Sequence, residues 1–205
     1  FVNLGFSDDS RYFMFAQFGI TEIGSYPYAD LFIVDVKANV FAPYGKKNIF
    51  SKKSVEPGNN GLGALLNLVE QNIALKVKYM IDHLLSGRIL YLLVNGDKPK
   101  ETINFRDFNT GKTYNVCLYQ SATGSGKNTE SSFYIEVTIK KTSGSSTSLS
   151  IGHPAFKRKG VKNYKIKQII LAPDESSLVF IIEKEEFDAT GVNIRYMVET
   201  ARVTF

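Results

Sequence analysis

Two pairs of adjacent carboxylates, Asp8-Asp9 and Asp174-Glu175, are the residues of this 205-residue chain best placed by type to hold a hard divalent cation. Their surroundings favour a plainer role. In Ala172-Pro173-Asp174-Glu175 the proline presets a turn and Asp174 bonds its own downstream backbone, and Ser7-Asp8-Asp9-Ser10 does the same without proline. Turn chemistry accounts for all four side chains, so no metal site is assigned. Gly124-Ser125-Gly126-Lys127 has the look of a phosphate loop, but Ser121 and Asn128 stand where that loop needs a glycine and a Ser or Thr. It also sits between two strands, where a phosphate loop must open a helix. It reads as a hairpin loop, and no nucleotide is expected.

Nucleophilic catalysis has few candidates. His83 falls on a predicted helix and His153 precedes Pro154, and neither has a partner at metal-ligand spacing. Cys117, the single cysteine, lies in an apolar strand and reads as a small hydrophobe. It excludes an internal disulfide framework and says little about redox compartment. No Gly-x-Ser-x-Gly elbow is present. The residue types argue against an enzyme and call for no cofactor. A hydrolase assembled from separated Asp and Glu residues stays open as an alternative.

The net charge is +5, with positive residues gathered at Lys46-Lys47 and Lys52-Lys53, at Lys140-Lys141, and most densely from Lys157 to Lys167. Lys157, Arg158 and Lys159 head that last run and are candidate contacts to an anionic polymer. The plainer expectation is a solvated loop and the outward face of a strand. Tyr26-Pro27-Tyr28 is a second candidate, with Tyr26 and Tyr28 as ligand-binding aromatics on an exposed patch.

The elements that must carry these residues are mostly strands. Tyr12 to Phe18, Leu31 to Val36 and a shorter Asn39 to Tyr44 are apolar runs bounded by Gly, Pro, Asn and Asp. Pro57-Gly58-Asn59-Asn60 marks a loop. From Gly61 to Ser86, Leu62, Leu65, Leu66, Val69, Ile73 and Val77 recur at helical spacing, with Asn67, Glu70 and Gln71 outside. The spacing predicts one long amphipathic helix over 61–86, with a bend near Asn72, lying against a sheet or a partner. Strands return over 88–94, 102–107, 113–120, 132–141, 164–171, 178–185 and 192–203, and Thr142 to Ser150 reads as a mobile Ser/Gly-rich segment. The expectation is mainly β: a single β-rich domain of about ten mostly antiparallel strands and one long helix. No apolar run is long enough to span a membrane as a helix.

One pattern ties the two ends together. Gly5 to Phe15 is echoed by Ile170 to Phe180 at a constant offset of 165, which sets Asp9 on Asp174 and Phe15 on Phe180. The same offset sets Asp30 to Asp35 against Arg195 to Thr200, so a turn, a strand, an excursion and a second strand recur. The turn-and-strand pattern resembles the TolB-type β-propeller repeat at Ser7, Asp9, Arg11 and Phe15, and at Pro173, Asp174 and Phe180. Asp8 replaces the repeat's proline, and Ser10 and Glu175 replace its glycine. The resemblance implies propeller-like strand units at both ends, although two copies are too few for a closed propeller.

A second resemblance covers most of the chain. Phe1 to Ser7, Arg11-Tyr12-Phe13, Gly19-Ile20 and Tyr26 to Ala29 are similar to the opening of the bacterial domain-of-unknown-function family 2259, described as predicted secreted proteins. Pro173-Asp174 and Gly191 to Val198 resemble its close. The resemblance implies export to the periplasm or extracellular space, with a signal peptide removed before Phe1. It implies no activity and brings no catalytic residues. The expectation for function is an exported, non-enzymatic binding or protein-interaction module, with anionic-polymer recognition through 156–167 as the alternative.

Overall fold

A computed structural model of the chain describes residues 1–187 and 191–203. The chain divides into two compact units, Phe1–Arg88 with Ala172–Ser177, and Ile89–Leu171 with Leu178 onward. Among the described residues, fourteen strands form three antiparallel sheets, none closed into a barrel, and two helices accompany them.

The first unit is built on strands β1 (Val2–Ser7), β2 (Tyr12–Ile20), β3 (Pro27–Asp35), β4 (Val40–Phe50) and the short β5 (Ile81–Asp82), in the order β4-β3-β2-β1-β5. Both faces of its centre are buried, which is why β2 and β3 read as nearly continuous apolar runs. Met14, Ala16, Leu31 and Ile33 point to one face and pack beneath a helix. On the other, Phe6, Phe13, Phe15 and Phe32 form a chain of ring contacts with centroids 4.6–5.9 Å apart. Gly5 makes β5 possible. Its φ is +101°, and a Cβ there would stand 2.1 Å from the Asp82 carbonyl oxygen, so only glycine lets β1 and β5 approach.

The helical segment departs from the expectation of one helix over 61–86. It forms α1 (Leu62–Gln71) and α2 (Ile73–Lys78). The break is local chemistry at Asn72, whose side-chain amide donates to the Leu68 carbonyl at 2.8 Å while its backbone N–H bonds Val69 instead. Met80, at φ 50°, then turns the chain, and Ile81–Asp82 is taken as the edge strand beside β1. His83 therefore lies in the following turn and not on a helix. There its Nδ1 is 2.6 Å from the Leu4 carbonyl oxygen.

The buried side of the helices also differs. Ala64, Leu65 and Leu68 are buried on the sheet, with Val69 and Leu75 beside them, whereas Leu62, Leu66, Ile73 and Val77 are exposed. The apolar arc of this segment is wider than one sheet face covers. The buried Tyr79 hydroxyl donates to the Pro43 carbonyl at 2.5 Å and pins the end of α2 to β4.

The second unit closes two sheets on one apolar core. One sheet orders β10 (Ser146–Gly152), β9 (Glu130–Lys140), β8 (Thr113–Thr123) and β7 (Thr102–Arg106), with β11 (Arg158–Lys159) also against β9. The other orders β14 (Val192–Arg202), β13 (Ser177–Phe187), β12 (Val161–Leu171) and β6 (Arg88–Leu92). Val116, Ile135 and Val137 from the first sheet meet Ile166, Phe180 and Ile182 from the second. Alternation of buried and exposed residues along β8 and β9 follows from one face being packed and one solvated. Thr142 to Ser150 supplies the Lys141–Ser145 turn and most of β10, paired residue by residue with β9. Gly126–Asn128 forms a short 3₁₀ turn inside the β8–β9 hairpin.

The sequence echo is a structural one. Each copy is a three-stranded antiparallel meander, β1-β2-β3 in the first and β12-β13-β14 in the second. Phe6 pairs Phe13 across the first turn, and the equivalent Leu171 pairs Leu178 across the second. Ser10 and Glu175, again equivalent, share left-handed φ values of 56° and 57°. Their N–H groups donate to Ser7 at 2.8 Å and to Ala172 at 2.9 Å.

Candidate functional site

The acidic turns are occupied by turn chemistry. Asp9 Oδ1 accepts from the Ser7 hydroxyl at 2.6 Å and from the Arg11 N–H at 3.0 Å, and the Ser7 bond in particular holds its carboxyl below the usual range. Asp174 accepts from the Ser176 N–H at 3.1 Å and hydroxyl at 2.7 Å, and Glu175 pairs with Arg88 at 3.1 Å. Asp35, a charge on an apolar strand, is buried and pairs with Arg11 at 3.0 Å. Among the described residues, no group of three or more His, Cys, Asp or Glu side chains is placed to hold a metal ion. Cys117 is half-buried on the outward side of β8, 3.7 Å from the Thr102 hydroxyl.

The basic run is drawn into a lattice of ion pairs. Lys157 stands 3.8 Å from Glu130, Arg158 3.5 Å from Glu199, Lys162 3.3 Å from Glu185, and Lys165 2.6 Å from Glu185 and 3.3 Å from Glu183. Arg158 also lies over the rings of Phe156, Phe133 and Tyr164 at 4.7–5.9 Å. Lys159 is exposed on β11, opposite Glu130. These strands alternate Lys with Glu across the ladder, so cross-strand pairing absorbs most of the charge that the sequence concentrates there.

The aromatic candidates lead somewhere else. Tyr26 and Tyr28 are half-buried and Pro27 is buried, so these residues are less exposed than the sequence suggests. The reason is that Pro27 opens β3 and Tyr28 is paired with Phe50 of β4. The Tyr26 ring packs on the Phe50 ring, with centroids 5.9 Å apart. Phe50 is itself exposed, and it forms one wall of a cavity of about 550 Å³ in the first unit.

That cavity is open to solvent on one side and lies wholly within the first unit. Its walls come from the ends of β3 and β4, from the loop over 51–60 and from the first turns of α1. Ile49, Phe50, Val55, Leu62, Ala64 and Leu66 supply the apolar surface. Ser51, Asn59, Asn60 and Asn67 supply hydroxyl and amide groups, and none of the lining residues is ionisable. Local chemistry shapes it. Gly61, at φ 80°, lets the chain turn into α1 against the Gly19 carbonyl, and Asn60 Oδ1 accepts the Leu62 N–H at 3.1 Å. A cavity of this size and lining suits a small molecule held by apolar contact and oriented by a few polar groups.

Sequence reasoning singled out Tyr26-Pro27-Tyr28, of which Pro27 lines this cavity and Tyr26 packs on its Phe50, and missed most of the other walls. Phe50, Val55, Leu62 and Leu66 lie on three different elements, and only Leu62 and Leu66 carried a signal. They belong to a second apolar stripe, beside the one that packs on the sheet.

The fold and cavity define a mainly β protein of two compact units with a ligand-sized, uncharged site in one of them. The chain belongs to the family described as "Predicted secreted protein (DUF2259)", whose model matches residues 14–202. No curated protein and no solved structure matches it. No helix among the described residues is long and apolar enough to cross a membrane.

Proposed function

We propose that this chain is an exported binding module whose first unit receives a small, uncharged ligand with an apolar body. The observation that carries this is the cavity at the start of α1, about 550 Å³ with apolar walls, three asparagines and a serine. Amides and hydroxyls orient a neutral ligand by hydrogen bonds, and such a wall has no group to move a proton during turnover. The TolB-like character of the echoed turns supports a binding role by analogy alone. The family's description supports export, to the periplasm or beyond. Recognition of an anionic polymer through Lys157, Arg158 and Lys159 is disfavoured by the glutamates paired with the first two.

The test is a thermal-shift screen of the chain against neutral amphipathic compounds, nucleotides, divalent metals and heparin-like polyanions. A ligand at about a hundred times its dissociation constant adds about 2.7 kcal/mol of stability. The control variant is Gly63→Leu. Gly63 lines the cavity, and a Cβ there meets no atom within 4 Å, so a larger side chain is accommodated at the rim without strain. The expected result is a neutral hit that Gly63→Leu abolishes. Shifts from polyanions or metals alone would overturn the proposal.

A further inference from the structure

The second apolar stripe has a charge pattern of its own. Leu62 and Leu66 are four residues apart on α1, and Ile73 and Val77 are four apart on α2, so each pair lies within about 40° on its own helix at 100° per residue. They are exposed, Leu66 at 60%, Ile73 at 54% and Val77 at 71%. The stripe runs along the β4 side of the helices. Phe50 borders Leu62 and Leu66 at the cavity, and Tyr44, 75% exposed, lies beside the end of α2, where the Lys78 Nζ is 5.2 Å from its ring centre.

Lysines rim the stripe. Lys76 and Lys78 lie on α2, and Lys52 and Lys53 lie in the loop beside Phe50. Lys47 is paired with Leu31, whose side chain is in the core beneath the helices, so it shares their face of the sheet. Residues 44–80 hold six lysines and two glutamates, of which Lys46, paired with Phe32, lies on the opposite face of the sheet over the Phe41 ring. None of those lysines is in an ion pair among the described residues, whereas Lys157, Lys162 and Lys165 of the second unit are.

We infer that the α1–α2 face of the first unit docks on an anionic lipid surface. An in-plane helix with leucine, isoleucine and valine on one flank, lysines around it and aromatic rings at its ends is the pattern that settles about 5–10 Å into the headgroup boundary. Here Leu66, Ile73 and Val77 enter the acyl boundary, Tyr44 and Phe50 sit at headgroup depth, and the unpaired lysines meet lipid phosphates. The charge decides the occupant. A second copy of this chain would bring the same lysine-rich segment against itself, and an anionic bilayer would bring compensating charge.

The experiment is co-sedimentation of the full chain with vesicles of phosphatidylcholine alone and of phosphatidylcholine with about a third phosphatidylglycerol. Partition onto the anionic vesicles should fall steeply with salt and be at least tenfold stronger than onto the neutral ones. Ile73→Asp with Val77→Asp should remove it, with the urea midpoint unchanged because both side chains are already solvated. Lys76→Gln and Lys78→Gln should each cost about fivefold, and Lys157→Gln should cost nothing. Gly63→Leu, which adds an apolar side chain beside Leu66, should bind vesicles at least as well as wild type, which separates this inference from the cavity reading. Equal binding to neutral vesicles, loss of vesicle binding in Gly63→Leu, or a dimer abolished by Ile73→Asp with Val77→Asp and no vesicle binding would each overturn it.

Discussion

The Ser10 hydroxyl accepts a hydrogen bond from the Asp174 N–H at 3.2 Å, joining the acidic turn near the start of the chain to its copy 165 positions later. Each residue belongs to a turn built to the same plan, and both turns lie in the first compact unit. The bond explains why Ser10 is buried in a conformation that glycine would adopt more cheaply.

Ser10→Ala removes that acceptor and leaves the Asp174 N–H without it. The expected loss is about 1–2 kcal/mol, read from urea unfolding. Ser10→Gly should lose less, because it relieves the left-handed backbone while giving up the same bond. Equal stability of wild type and Ser10→Ala would show that the two turns do not depend on each other.

Gly5→Ala should be the most damaging single change in β1. The added Cβ would fall 2.1 Å from the Asp82 carbonyl oxygen, and φ +101° is a conformation alanine avoids. A loss of about 3 kcal/mol or more is expected. The edge pairing of β5 opens first, so amide exchange should accelerate at Ile81 and Asp82 ahead of β2.

The Lys165–Glu185–Lys162 cluster carries a pH signature. Burial pushes the Glu185 carboxyl up, but hydrogen bonds from Lys165 and Lys162 outweigh it and hold the group below its ordinary 4.5. The Glu185 bond raises Lys165 above 10.5, against the opposing effect of burial. The stability from Glu185 is present above about pH 4.5 and is lost as pH falls through the lowered value. The stability from Lys165 is present below about pH 10.5 and is lost as pH rises through the raised one. Glu185→Gln should cost about 1 kcal/mol at neutral pH, since the lysines are partly solvated. It should also flatten the stability curve on both flanks. An unchanged acid limb in denaturant titrations would show that the cluster contributes nothing to folding.

Much of the fold was legible because its signals are local. Long apolar runs such as Tyr12 to Phe18 form strands when both faces are covered, and alternation along β9 forms one when a single face is. The echo was legible as sequence and holds as a meander because turn chemistry at Asp9 and Asp174 needs only neighbouring residues. The short strands β1, β5, β10 and β11 were not legible. Gly5, Ile81–Asp82, the serines of β10 and Arg158–Lys159 become strand only because a partner strand supplies their hydrogen bonds.

By itself, the sequence determined a mainly β chain, the repeated turn-and-strand unit, a helical segment with a weak point at Asn72, and membership of a family described as predicted secreted proteins. Only the tertiary structure decided which charges are cancelled and which apolar stripe is left uncovered. Lys165 and Glu185 are twenty positions apart and meet because β12 and β13 are paired. Leu65 and Leu66 are adjacent and chemically identical, yet one is buried and the other exposed, because a sheet covers one side of a helix. Pairing and coverage are set by what lies opposite a residue in space, and a linear sequence does not contain that.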